Sequence, residues 1–388
     1  MPKKLVIIGN SAAAVGAIEA VRAIDRDWEI VVISDEPYHT YSRPLISYLL
    51  FGKTDEQRMK FRPDDFYDRN GVATMLGVKV TAIDAKSKTV KWNKDGVEGE
   101  LGYDKLLVAT GSTPFVPPMN GLETVERKTT FMSLDDAKYL ESNVTADTRV
   151  FIVGAGLIGL KCAEGLSKLT SHITVCDLAP QILPSILEPD PAALMQSWIE
   201  SNGVEFCLGD TADRFEGNRA TLKSGKVVEF DVLVLAVGVR PNTALVKDAG
   251  GEVNRGIVTD EYCRTSLADV YAAGDCSESL NICTDQRQVL ALLPNAYAQG
   301  YAVGRHVAGL DDKPYDDAIA MNAIGFWGKH ILSAGAYVGE RYEVVGEGNY
   351  RLICRDGNRL MGFILIGDVD GAGIYTTMIR ERTPLDGV

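Results

Sequence analysis

Two stretches of this chain run from an apolar strand through a small-residue turn into a helix, and each reaches an acidic residue one strand later. The second is the more demanding. Arg149-Val150-Phe151-Ile152-Val153 leads into Gly154-Ala155-Gly156-Leu157-Ile158-Gly159, and the next strand, His172 to Cys176, ends at Asp177. Each glycine of such a turn has its own duty. Gly154 makes the tight turn, Gly156 lets the backbone approach a pyrophosphate, and Gly159 lets helix and strand pack closely, with Leu157 and Ile158 opening the helix beside the anion. Asp177 lies 23 residues beyond Gly154 (177 − 154), where a carboxylate accepts hydrogen bonds from an adenosine ribose. No arginine occurs between Asp177 and Arg214. A ribose 2′-phosphate would meet a carboxylate and no guanidinium, so NADH is expected rather than NADPH.

The first unit is a weaker match. Leu5-Val6-Ile7-Ile8 reads as a short buried parallel strand, followed by Gly9-Asn10-Ser11-Ala12-Ala13-Ala14 and a helix to about Ile24. Ser11 and Ala14 stand where the second and third glycines belong, and an ordinary strand–helix turn is the bland reading. Its following strand runs into Asp35-Glu36, 26 and 27 residues past Gly9 (35 − 9 and 36 − 9). Two complete units with terminal acids argue for two dinucleotide sites in an α/β chain.

Composition narrows the function. With 388 residues, two or three domains are expected. Forty basic and 53 acidic residues give a net charge of −13, which opposes binding to a phosphate backbone, so nucleic acid is not expected as a partner. No run reaches the roughly 18 apolar residues of a membrane span, so no membrane partner is expected either. The N-terminal MPKKLVIIGNSAAAVGA has a superficial likeness to a signal peptide, but the glycine turn within it favours a mature start. Seven cysteines, an odd count with no CxxC, suggest neither a disulfide framework nor a zinc site and fit a reducing cytoplasm. No metal-binding pattern is present, and the four histidines are scattered.

In order and spacing, GNSAAA, YDKLLVATGSTP (103–114), GAGLIGL (154–160), LVLAVGVRPN (233–242) and DVYAAGDCSE (269–278) resemble the two-dinucleotide-binding-domain flavoproteins, the pyridine nucleotide-disulfide oxidoreductase superfamily. Within it, YSRPLIS (41–47) and GDVDGAGIYTTMIRE (367–381) are most similar to NADH:rubredoxin oxidoreductases and the flavin part of NADH-dependent nitrite reductases. The resemblance implies two Rossmann-like domains, the second inserted in the first, and a small α+β C-terminal domain. FAD would lie on a discontinuous domain of residues 1–112 and 245–315, NADH on residues 113–244, and a partner on residues 316–388. It also implies roles. Gly9, Ser11, Ala12 and Ala13 would face the FAD pyrophosphate, with Asp35 or Glu36 on its ribose, and Val80 would be a further cofactor-binding residue. Ala109, Thr110 and Gly111 would close the turn beneath FAD, and Gly274 and Asp275 would hold the ribityl chain. Arg43 and Pro44 would lie beside the isoalloxazine, Pro294 would open a helix aimed at its pyrimidine, and Gly238 would line the nicotinamide cofactor. No side chain is expected to be catalytic, because the cofactors carry the redox chemistry.

The chain also departs from this pattern. Disulfide reductases and peroxidases of the superfamily place cysteine beside the flavin near YSRPLIS, yet the first cysteine here is Cys162. Cys162 and Cys276 read as packing residues and the other five as unpartnered, so a dithiol relay is rejected. Where relatives often carry an acid two residues beyond the last glycine, this chain has Lys161, with Glu164 placed to pair with it at i, i+3. The expected function is therefore electron transfer from NADH through FAD to a rubredoxin-type or iron–sulfur protein or subunit. The rivals are an NADH oxidase using dioxygen and a flavoprotein of mainly assembly or NADH-sensing role. A homo-oligomer or hetero-oligomer stays open. Residues 316–388 hold 10 acids and 7 bases, six of the bases being arginine, which makes an arginine-rich docking face one reading and a solvated sheet edge the other.

Overall fold

A computed structural model describes residues 2–310 and 313–387. The chain divides into two compact units: Met1–Ser42, Lys60–Ser112 and Pro241–Ala320 form the first, and Arg43–Met59, Thr113–Arg240 and Met321–Val388 the second.

In the first unit, five parallel strands lie in the order Val270–Ala272, Lys105–Val108, Lys4–Ile8, Glu29–Ser34, Val72–Leu76. Strand Lys4–Ile8 occupies the centre because it is apolar on both faces, with Leu5, Val6 and Ile7 fully buried. Helices Ala12–Ile24 and Leu293–Val307 pack against each other with glycine at the crossing. A Cβ on Gly300 would fall 1.9 Å from the Ala13 carbonyl oxygen, and one on Gly304 would fall 2.5 Å from that of Ala17. The backbones approach closely because those side chains are missing. An antiparallel sheet of Lys79–Asp84, Thr89–Lys94 and Val97–Gly102 and a two-stranded one of Ser279–Asn281 and Gln286–Gln288 also belong to this unit.

In the second unit, another five parallel strands follow the order Val204–Leu208, Ile173–Asp177, Val150–Val153, Val232–Leu235, Lys128–Thr129. A three-stranded antiparallel sheet, Ala212–Phe215, Arg219–Leu222 and Val227–Glu229, shares one core with it. Residues 321–388 contribute a five-stranded antiparallel sheet in the order Met321–Phe326, Lys329–Gly335, Arg359–Ile366, Asn349–Asp356, Glu340–Gly346, with helix Ala372–Arg380 against it. Two Rossmann-like parallel sheets and a C-terminal α+β element are the fold class expected from the glycine turns and the resemblance. No helix among the described residues is long and apolar enough to cross a membrane.

Candidate cofactor sites

The turn after Lys4–Ile8 demands its glycine. Gly9 has φ +113°, and a Cβ there would come within 2.0 Å of the Ala109 carbonyl oxygen. The Gly9 N–H donates to Ile33 O at 2.8 Å, tying the turn to the neighbouring strand. Ser11 is the N-cap of helix Ala12–Ile24 and makes no side-chain cap hydrogen bond. An uncapped first turn offers backbone N–H groups and a positive dipole end to an anion. Asn10 is clamped, accepting from the Tyr67 hydroxyl at 2.7 Å and donating to Tyr38 O at 3.1 Å. Burial pushes the Tyr67 phenol above its ordinary pKa. Nothing in the sequence singled out Tyr67, since one aromatic in a loop carries no spacing signal. His39 is half-buried, its ring centroid 4.8 Å from that of Tyr67.

The remaining first-unit candidates gather at the same end of the sheet. Gly274 (φ +84°) is close enough to Ala13 that a Cβ on it would lie 3.7 Å from the Ala13 Cβ. Its N–H donates to the buried Gln299 Oε1 at 2.6 Å, a support that the sequence reading missed. Asp275 accepts from the Ser112 hydroxyl at 3.1 Å. Ala109 N donates to Ile8 O at 2.8 Å, and Asn242 N donates to Gly111 O at 2.9 Å. Thr110 and Asn242 exchange two further bonds: Thr110 Oγ1 donates to Asn242 O at 2.9 Å and Asn242 Nδ2 to Thr110 O at 2.8 Å. Glu36 is half-buried and accepts from the Tyr41 hydroxyl at 2.9 Å, whereas Asp35 is exposed. Val80 is a core residue packed with Val6, Ile8 and Ile33, in a strand paired with Trp92. Pro294 occupies the first turn of helix Leu293–Val307, where its missing N–H costs nothing.

The second unit repeats the arrangement with all its glycines. Gly154 (φ +119°) passes so close to the strand Val232–Leu235 side that a Cβ would lie 2.2 Å from Ala236 O, and a Cβ on Gly159 would meet Gly154 O at 1.9 Å. Around Gly156, the helix N-cap, the same space is empty. Asp177 closes this turn: its carboxylate accepts from Ala155 N at 2.6 Å and Ala179 N at 2.8 Å. Gly238 (φ +107°) is open and accepts from Phe115 N at 2.9 Å. Arg43 and Pro44 also fall in this unit, in the 3-10 turn Arg43–Leu45, where Arg43 donates to Met132 O at 3.3 Å.

Residues 3–300 match the family model "Pyridine nucleotide-disulphide oxidoreductase". The chain belongs to that family. Members bind FAD and NAD(P)H, and this member is an NAD(P)H-dependent flavin oxidoreductase. It is 31% identical to the nitrite reductase [NAD(P)H] of Bacillus subtilis over 99% of its own length, but spans only 48% of that longer protein. It is also 31% identical to the epsilon subunit of the NADH-dependent phenylglyoxylate dehydrogenase of Aromatoleum evansii, covering 98% of this chain and 92% of the subunit. Its fold matches a chain of the covalent putidaredoxin reductase–putidaredoxin complex with a TM-score of 0.90 at 24% identity, over 98% of this chain and 94% of that one.

None of the seven cysteines of this oxidoreductase is in a disulfide. Cys276 is fully buried with its thiol directed at Val108 O and Ala273 O, and burial raises its pKa. Cys162 is likewise sealed in the core, its pKa pushed well up by burial. Cys176 and Cys207 are in no disulfide, as expected from their spacing, but strand register sets them directly opposite each other on neighbouring parallel strands. Lys161 and Glu164 do pair, and the pair does more than sequence spacing implies. Glu164, 5% exposed, also accepts from Trp327 N at 2.9 Å, while Lys161 donates to Gly325 O at 3.1 Å. Together they hold the hairpin tip at Trp327 (φ +45°) and Gly328 (φ +84°). Phe326 beside it is core. Three of the six C-terminal arginines are matched by the unit's own acids, Arg341 by Glu188, Arg351 by Asp368 and Arg355 by Glu340, which reduces the net positive charge available for docking.

Proposed function

We propose that the chain takes electrons from NADH and passes them through FAD to a rubredoxin-type or iron–sulfur acceptor, either a separate protein or a partner subunit. The observation that carries this reading is the missing sulfur: no cysteine precedes Cys162, so thiol chemistry has no group near YSRPLIS and electrons must leave the flavin by another route. When bound, FAD accepts electrons in pairs and can release them singly.

The residues fit such a group. The uncapped start of helix Ala12–Ile24, with Gly9, Ser11, Ala12 and Ala13, would hold a pyrophosphate. Glu36, oriented by Tyr41, is the better ribose acceptor than exposed Asp35. Asp275 would take the ribityl hydroxyls beside Gly274, Thr110 and Gly111. Gly154, Gly156, Leu157, Ile158 and Gly159 would take the NADH pyrophosphate, Gly238 its nicotinamide half, and Asp177 its adenosine ribose. A carboxylate already engaged by two backbone N–H groups is fixed in place and repels a 2′-phosphate. The likeness to a subunit of a larger dehydrogenase and to part of a longer nitrite reductase supports an acceptor in the same assembly.

A two-stage stopped-flow measurement tests this. The protein is reduced anaerobically with NADH, then mixed with oxidised rubredoxin or with aerated buffer while flavin absorbance is followed. Fast reoxidation by the iron protein and slow reoxidation by dioxygen are expected. Fast reoxidation by dioxygen alone would establish an NADH oxidase instead.

A further inference from the structure

The opposed cysteines lie where a covalent change would reach the NADH site. In the parallel register of Ile173–Asp177 with Val204–Leu208, Cys176 faces Cys207 and the next pair is Asp177 with Leu208. Directly registered residues of adjacent strands project to the same side of the sheet, and both cysteines belong to one core cluster under the antiparallel sheet. Neighbouring strands are about 4.8 Å apart, inside the Cα range of about 4.4–6.8 Å that a disulfide spans. The two thiols are not equivalent. Cys176 is 0% exposed and Cys207 8%. Lys226, itself exposed, lies in the turn joining two strands of the covering sheet and brings Nζ to 3.2 Å from the Cys207 sulfur. That geometry places a positive charge beside the more accessible of the two sulfurs.

We propose that Cys207 and Cys176 form an oxidation switch, in which peroxide converts the pair to a cross-strand disulfide that weakens NADH binding through Asp177. The Cys207 sulfur attacks one oxygen of hydrogen peroxide, so an S–O bond forms, the O–O bond breaks, and the departing hydroxide takes up the Cys207 proton as water. The Cys176 sulfur then attacks the Cys207 sulfenic sulfur. The S–S bond forms, the S–O bond breaks, and the departing hydroxide carries the Cys176 proton away as water. The two thiols lose two electrons in all, and one peroxide becomes two waters. Cys207 starts the reaction because it is the more accessible sulfur and has Lys226 beside it, and the sealed Cys176, its thiol pushed up to about 12 by burial, resolves it. Drawing Cys176 toward Cys207 tilts the strand end that carries Asp177 away from Ala155 N. Reversible disulfides of this kind are the form expected in a reducing compartment.

The link to NADH rests on the proposed role of Asp177, while the chemistry of the pair does not. The full-length protein is treated with hydrogen peroxide without denaturant, then unfolded for thiol titration and peptide mass analysis. Accessible thiols should fall from seven to five (7 − 2), with the Cys176 and Cys207 peptides linked and lighter by two hydrogens. Lys226→Met should slow that loss, and Cys207→Ser should abolish it. NADH binding, measured by fluorescence on the same sample, should weaken about tenfold, the equivalent of one charge-assisted hydrogen bond, and recover with a dithiol reductant. Seven remaining thiols, or oxygen atoms added to Cys207 without a link to Cys176, would overturn the switch. A clean link with unchanged NADH binding would overturn the role of Asp177 and its regulation, leaving the disulfide itself established.

Discussion

The Asp177 carboxylate accepts a hydrogen bond from the backbone N–H of Ala155 at 2.6 Å, joining the end of one strand to the glycine turn 22 residues earlier. A second bond, from Ala179 N at 2.8 Å, holds the other carboxylate oxygen. The acid proposed for the adenosine ribose is thus built into the turn proposed for the pyrophosphate, and the two halves of that site share one support.

Asp177→Ala should therefore weaken NADH binding by about tenfold to a hundredfold, the range for losing hydrogen bonds to a charged group, and should narrow the preference over NADPH. Titration calorimetry with both nucleotides checks this. Unchanged affinity for NADH would show that the ribose is held elsewhere.

The crossing of Ala12–Ile24 with Leu293–Val307 depends on absent side chains. Gly300→Ala places a Cβ 1.9 Å from the Ala13 carbonyl oxygen, and such overpacking should cost about 1–3 kcal/mol. Because the displaced helix opens at Ser11 and Ala12, flavin retention on gel filtration should fall with the melting temperature. Gly373→Ala is the control: it lies exposed in helix Ala372–Arg380 with nothing within 4 Å of a Cβ, so it should be neutral or stabilise by up to about 1 kcal/mol.

Glu164 supports two groups at once, the Lys161 ammonium and the Trp327 N–H. Glu164→Gln keeps its shape but leaves the Lys161 ammonium, only 17% exposed, without its counter-charge. Urea unfolding should show a loss of about 3 kcal/mol, as for other buried pairs broken on one side. The double variant Lys161→Met with Glu164→Gln should recover part of that loss, because the uncompensated charge is gone. If the double variant is worse than the sum of the singles, the charge is not the source of the cost.

A pH effect follows from Glu19. Hydrogen bonds from Arg62 at 2.6 and 3.0 Å and from Tyr297 at 2.7 Å hold its carboxyl below the ordinary value of 4.5, with Arg62 the largest cause. A carboxyl with a depressed folded-state pKa contributes stability that is fully present above its unfolded value and is lost as pH falls through the folded one. Wild type should therefore melt above Glu19→Gln at pH 7, and the gap should close as the buffer is taken from about pH 4.5 downward. A gap that persisted at pH 3 would mean that packing, not ionisation, carries the contribution.

Much of this was legible from local patterns. Gly9 and Gly154 announce turns because positive φ and a carbonyl 2.0–2.2 Å from a would-be Cβ exclude every other residue, and that constraint is written into the chain one position at a time. Apolar runs such as Leu5–Ile8 and Val150–Val153 declare parallel strands covered on both faces, since no polar residue interrupts them. Asp177 could be found by counting, because one helix and one strand consume a nearly constant number of residues.

Other relationships have no local signature. Arg43–Met59 leaves the first unit to join the second, and nothing in YSRPLIS records where that segment packs. Gln299 supports Gly274, Tyr67 supports Asn10, and Glu164 reaches Trp327 N, 163 residues away. The seven cysteines read as isolated by spacing, yet strand register sets Cys176 against Cys207 and folds Lys226 over the latter. Backbone geometry and hydrophobic period are short-range properties, so the sequence alone specified the turns, the strands and the two nucleotide folds. Which side chains meet across strands, helices and hairpins is decided only when buried surfaces close on one another, and that closure belongs to the tertiary structure.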